Sequence, residues 1–206
     1  AALKYLLLGA FSTGFLLYGI SMLYGATGST ILPQIIDEVQ KNGADNPLVI
    51  VGMALVVIAM SFKIAIVPFH MWTPDVYTGA PTPVTGFLSA AAKAAGFAVF
   101  VRVLLTGIPL DGANWENVLW ILAVLSMTVG NLMALRQSEV KRMLAFSSIA
   151  HAGYVLVAVV VGSASAISGV IFYSFAYAVM GTGAFGILTI RDVGRVPQNY
   201  DDLAGY

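Results

Sequence analysis

The stretch SFKIAIVPFHMWTPDVYTGAPTPVT, residues 61–85, decides the fold: it lies in an otherwise apolar sequence yet carries Lys63, His70, Asp75, Pro68, Pro74, Pro81 and Pro83. An apolar run enters it from Pro47, and helix-compatible sequence continues to Gly79. A helix over that run would be about 50 Å long at 1.5 Å per residue, whereas a hydrocarbon core is about 30 Å thick. Pro68 lacks an N–H and its ring clashes with the preceding turn, so the reading is a span over 47–79 broken near 68: helix, short extended linker, half-helix. Broken backbone at membrane depth is tolerated only where protein covers it or where it lines a wet cavity. Lys63, five residues before Pro68, marks where a pathway would run.

The surrounding composition is that of a lipid-embedded chain. Of 206 residues, 59% are hydrophobic and 10% charged, with mean hydropathy +0.87; soluble domains average about 25% charged. Length and apolarity give six spans, at 3–24, 47–79, 83–106, 117–135, 143–162 and 166–190. The fold class is an all-α polytopic membrane protein, with 1–206 as a single transmembrane domain. A net charge of zero gives no electrostatic case for nucleic acid. The chain has no cysteine, and its two histidines, His70 and His151, lie on different spans. Neither a disulfide, a Cys-ligated metal nor an iron–sulfur cluster is available, so no redox centre or cofactor is expected in this chain. It opens Ala1-Ala2-Leu3-Lys4 and reads as a segment of something longer.

Alternating spans sort the charges by side. Lys4, Arg136, Lys141, Arg142, Arg191 and Arg195 fall on one side; Lys41 and Arg102, with Asp37, Glu38, Asp45, Asp111 and Glu116, fall on the other. The positive-inside rule makes the first side cytoplasmic. Gly9, Gly14, Gly19 and Ser12 in the first span, and Gly181, Gly183 and Gly186 in the sixth, read as close helix packing. Residues 25–46 read as an outer loop with one short amphipathic turn.

Three cations, Lys63, Lys93 and His151, then call for chemistry, with His70 at the break and Lys4 at the start of the first span as further candidates. Lys93 stands about 15 Å inside the third span among small residues, too far from either interface to snorkel; a charge there costs about 2.5 kcal/mol or more. His151 shares a face with Ser147, Ser148 and Tyr154 by i, i+3 and i+4 spacing. Lysine suits a proton relay because burial disfavours its charged form while a nearby carboxylate restores it, and histidine titrates near neutrality unaided. No Asp or Glu lies in the interior of any span, Asp75 standing past the break at Pro68, so a counter-charge must come from elsewhere. Structural roles compete at each position. Lys63 could satisfy a carbonyl freed by Pro68, Lys4 and Arg102 could snorkel, and His151 could be a satisfied core residue. His70 could cap the broken helix, and Asp75 reads as an N-cap or turn residue.

FKIAIVPFHMWTPDVYTGAPTPVTGFLSAAAKAAGF at 62–97, with GNLMAL at 130–135 and VKRMLAFSSIAHAGY at 140–154, resembles the subunit N family of respiratory complex I. The likeness runs across nearly the whole chain, weakest at 25–46 and 107–118. The PFHMWTPDVYTGAPTPV block is similar to the wider antiporter-like group, in which a histidine near Ser89 and no lysine at 93 would be expected for the sister subunits and the sodium–proton antiporters.

The resemblance implies a fourteen-helix subunit of two inverted five-helix repeats, with this chain holding helices six to eleven. It implies that Lys63 is the broken-helix lysine of a proton channel, Lys93 the bridging lysine and His151 the histidine of a central polar axis. Lys4 matches a family lysine of less defined role. The glutamate that pairs with the broken-helix lysine is expected before Ala1, and a second broken helix after Tyr206. The implied function is a proton-translocating subunit of NADH:quinone oxidoreductase in the bacterial inner membrane, with a thylakoid or mitochondrial inner membrane as alternatives. Its partners would be other membrane subunits and the lipid bilayer, and NADH, FMN, iron–sulfur clusters and quinone would belong to other subunits. A sodium–proton antiporter subunit and a purely structural scaffold are the competing readings.

Overall fold

The described residues fold into α-helices of 6 to 28 residues. The computed structural model describes residues 1–42, 46–107, 115–191 and 199–203. Of the charges sorted above, Asp45, Asp111 and Arg195 lie outside the described residues. The helices are α1 (Ala2–Thr27), α2 (Leu32–Asn42), α3 (Pro47–Ile64), α4 (Thr73–Gly79), α5 (Thr82–Phe87), α6 (Lys93–Gly107), α7 (Trp115–Ala134), α8 (Val140–Val161) and α9 (Ala164–Arg191). A π-helical segment, Leu88–Ala92, joins α5 to α6, and a 3₁₀ turn covers Tyr200–Leu203. Six stretches are long and apolar enough to cross a membrane: Ala2–Thr27, Pro47–Ile64, Thr82–Leu104, Trp115–Ala134, Val140–Val161 and Ala164–Arg191.

The chain between α1 and α3 is more ordered than a loop with one turn. Gly28, in the left-handed region at φ 71°, closes α1, and α2 runs three turns with Ile35 and Val39 buried against the bundle. Polar composition hid the amphipathic period of LPQIIDEVQKN, which places those two residues four apart on one face.

The break also starts earlier than Pro68. In a continuing helix, Pro68 would strike the carbonyl of Ile64, four residues back, and would force Val67 out of the helical region. The helix accordingly ends at Ile64, with Ala65 left-handed at φ 62° and ψ 46°. Residues 65–72 form turns rather than an extended linker, including a cis Val67–Pro68 peptide. Lys63 thus occupies the last turn of α3, where the helix dipole favours a cation.

The freed backbone is satisfied from several sides. Ile66 N–H donates to Ser61 O (2.9 Å), Val67 N–H to Ser126 Oγ on α7 (3.0 Å), and Trp72 Nε1–H to Phe62 O (2.9 Å). Ser126 in turn donates to Leu122 O at 2.7 Å. An otherwise costly set of buried polar groups is therefore paired within protein.

Helix α8 is the most buried span. It packs along α7 and touches α4 and α9, while α1 pairs with α3. Two close approaches need glycine. A Cβ at Gly130 would lie 2.6 Å from Ala150 N, and one at Gly153 would lie 2.9 Å from Ala123 O, so α7 and α8 touch backbone to backbone. Gly19 and Gly52 do the same for α1 and α3. Gly9, Gly14, Gly183 and Gly186 face open space instead, contrary to the close packing expected of them; Gly181 reaches ordinary contact with Ser89 Oγ. A glycine count cannot tell which face of a helix meets a neighbour.

Candidate functional site

Lys93 begins α6 directly after the π-helical segment, an irregularity that occurs often at functional sites because it re-aims the following side chains. Only 5% of Lys93 is exposed, and its ammonium donates to Ser148 O and to Ser148 Oγ (3.0 Å) on α8. Ser148 Oγ donates to Ala145 O at 2.9 Å. The buried ammonium is thus held by neutral oxygens, and among the described residues no carboxylate pairs with it.

Two water-sized cavities meet at this lysine. The first, about 10 Å³, is lined by Lys63, Ala65, Trp72, Tyr77, Ala92 and Lys93, among others. The second, also about 10 Å³, is lined by Lys93, Ser148, His151, Tyr173, Ser174 and Tyr177, among others. Lys63, which is exposed, and Lys93 therefore share one wall, and Lys93 and His151 share the next. His151 Nδ1 is hydrogen-bonded to Tyr173 Oη, and its ring lies 4.7 Å from Tyr177 and 5.5 Å from Tyr154, centroid to centroid. On the far side of the second cavity, Ala94 and Ser174 also border an apolar groove of about 580 Å³ between α6 and α9.

The other two candidates lie apart from this line. Lys4 does not simply snorkel: its ammonium pairs with Asp75 of α4, which also accepts from Arg142 Nη1 at 2.9 Å. Asp75 is therefore not an N-cap; Trp72 holds that position without a side-chain bond. The Lys4 hydrogen bond above all, then that of Arg142, holds the Asp75 carboxyl below its ordinary range against an opposing burial effect. His70 sits in the turn before α4, where its carbonyl, not its ring, accepts from Thr73 N–H (3.0 Å). Burial pushes its imidazole below the ordinary histidine range, against a smaller opposing hydrogen bond with the Pro68 backbone.

Lys141 escaped the sequence reading. Sorted as an end charge, it is 1% exposed and donates to Ala80 O (2.9 Å) and Thr82 Oγ1 (3.1 Å), tying the α4–α5 corner to α8. Tyr173 and Ser174 on α9 join the site as well. Their position against His151 is a tertiary contact 22 residues distant for Tyr173, which no local pattern announces. Among the described residues no group of three metal-capable side chains occurs.

These features define an all-α membrane-spanning bundle with one span interrupted before a proline, and with ammonium groups at the interruption and inside the next span. Residues 1–203 match the family described as NADH:quinone oxidoreductase/Mrp antiporter, transmembrane, and the chain belongs to it. It is 56% identical over 191 residues to NADH-quinone oxidoreductase subunit N of Trichlorobacter lovleyi, covering 92% of this chain and 39% of that protein. A chain of respiratory complex I from Thermus thermophilus is 44% identical with a TM-score of 0.76, over 91% of this chain and 39% of that one. A chain of the Mrp complex from a Dietzia species shares the fold at a TM-score of 0.83 and 24% identity, over 95% of this chain and 36% of that one. The protein is thus an all-α, antiporter-like, multi-pass membrane protein, and the chain spans about two fifths of the length of the relatives it matches.

Proposed function

We propose that this chain is the part of a proton-translocating subunit of NADH:quinone oxidoreductase that carries a proton from the interrupted helix toward the middle of the membrane arm. Lys63 loads and releases the proton, Lys93 relays it, and His151 passes it on. The observation that supports this most is the pair of cavities that meet at Lys93, one shared with Lys63 and the other with His151. A buried lysine paired to a carboxylate would be held charged; here the partners are neutral oxygens, which accept a hydrogen bond without fixing the charge.

Redox chemistry lies outside the chain in this reading. NADH, FMN, iron–sulfur clusters and quinone belong to other subunits of the assembly, which sits in the bacterial plasma membrane with the Lys4–Arg142 end toward the cytoplasm. Replacing Lys63 or Lys93 by Ala in the full-length subunit is expected to lower NADH-driven proton uptake by membrane vesicles while the complex still assembles. Undiminished pumping in both variants rejects the relay. The family description also covers Mrp antiporters. Sodium-dependent proton exchange without NADH would favour that second reading.

A further inference from the structure

The cavity between Lys93 and His151 is bordered by one polar atom that the relay has not used. Ser174 Oγ, on α9, is buried and has no hydrogen-bond partner among the described residues, whereas Lys93 and Ser148 already satisfy each other. A buried hydroxyl left without a partner costs about 1–3 kcal/mol. The cavity volume of about 10 Å³ is close to what one water needs, and a water also needs two to four polar partners. The third N–H of the Lys93 ammonium, the His151 ring and the Ser174 hydroxyl supply them. The neighbouring hydroxyl, Tyr173 Oη, holds His151 at Nδ1, which leaves Nε2 as the ring nitrogen that exchanges a proton.

We infer that Ser174 and Tyr173 are positioning residues of the relay: Ser174 holds a single water between Lys93 and His151, and Tyr173 fixes the ring that receives its proton. This rests on the reading of Lys93 and His151 as relay groups. The step balances as one proton: the Lys93 ammonium gives a proton to the water while that water gives one to His151 Nε2. It leaves a neutral amine, an imidazolium and an unchanged water. Return of the amine to its charged form draws a proton from the Lys63 side through the first cavity.

The test uses the full-length subunit in the assembled oxidoreductase, in inverted membrane vesicles, with the rates of proton uptake and of NADH oxidation both measured. Ser174→Ala is expected to slow coupled uptake by about tenfold, the scale of one lost hydrogen bond in a transfer step. Ser174→Thr, which keeps the hydroxyl, restores it. Tyr173→Phe lowers uptake as well, while both variants assemble in normal amounts. A high-resolution map of the assembled complex should place an ordered water within hydrogen-bond distance of Ser174 Oγ. The inference is overturned if Ser174→Ala pumps normally while Lys93→Ala does not, or if the map shows no water at Ser174. Normal pumping by Lys93→Ala would instead overturn the relay reading beneath it. A merely structural Ser174 would lower thermal stability without changing the rate of proton uptake per assembled complex, and that result also overturns the inference.

Discussion

The two cationic regions of this molecule solve the same problem in opposite ways. At the basic end, Lys4 and Arg142 converge on the Asp75 carboxylate, so three helices are pinned by ion pairs that remain about one-third or more exposed. Inside the bundle, the Lys93 ammonium donates to the carbonyl and hydroxyl of Ser148, and among the described residues no carboxylate pairs with it. A carboxylate partner fixes a charge, whereas a neutral oxygen merely orients it. The first arrangement is suited to holding helices in register and the second to changing protonation. In the proposed function, that difference, more than burial as such, separates a structural cation from a relay.

The sharpest way to break this contrast is to remove one member from each region and read transport. Lys93→Ala should cut coupled proton uptake by about 100-fold or more, the usual scale for losing a positioned proton carrier. Asp75→Asn should leave most of it. Equal losses in the two variants would erase the distinction drawn between the regions.

A smaller effect is expected at the interruption itself. Ser126→Ala leaves the buried Val67 N–H without an acceptor and should destabilise the subunit by about 1–3 kcal/mol. Thermal unfolding of the detergent-solubilised complex would register it, and an unchanged midpoint would mean that another group takes over the N–H. The smallest effect belongs to Asp75, because exposed ion pairs are worth about 0–1 kcal/mol each. Its carboxyl titrates lower in the folded protein than the ordinary value of 3.8. Its contribution is therefore fully present above that value and is lost as pH falls through the lower, folded one. The stability difference between the parent and Asp75→Asn should be constant at neutral pH and shrink only in strong acid. A difference that vanished already near pH 6 would point to a histidine instead, with His70 the nearest candidate in sequence.

The sequence made the membrane architecture legible because apolar length and proline are local signals. The long run from Pro47 shows that a span cannot continue through Pro68, and Lys93 among alanines stands out in any reading. The exact site of the break was less legible, since proline acts on the carbonyl four residues earlier and the left-handed Ala65 carries no glycine to announce it. Charge sorting placed Lys4, Asp75, Lys141 and Arg142 near one end. It did not show that Asp75 joins two of them, or that Lys141 turns inward to Ala80 O. Those contacts link residues 61 to 71 positions apart, and only packing decides them. The π-helical turn before Lys93 was hidden as well, because LSAAA is ordinary helix sequence.

One substitution separates charge from proton exchange at the centre of the site. Arginine keeps a cation at position 93 but does not give up its proton at any working pH. If Lys93 relays protons, Lys93→Arg in the assembled complex should be as deficient as Lys93→Ala in NADH-driven proton uptake, with the subunit present in normal amounts. Pumping at the parental rate by Lys93→Arg would contradict the account, because a fixed positive charge would then suffice.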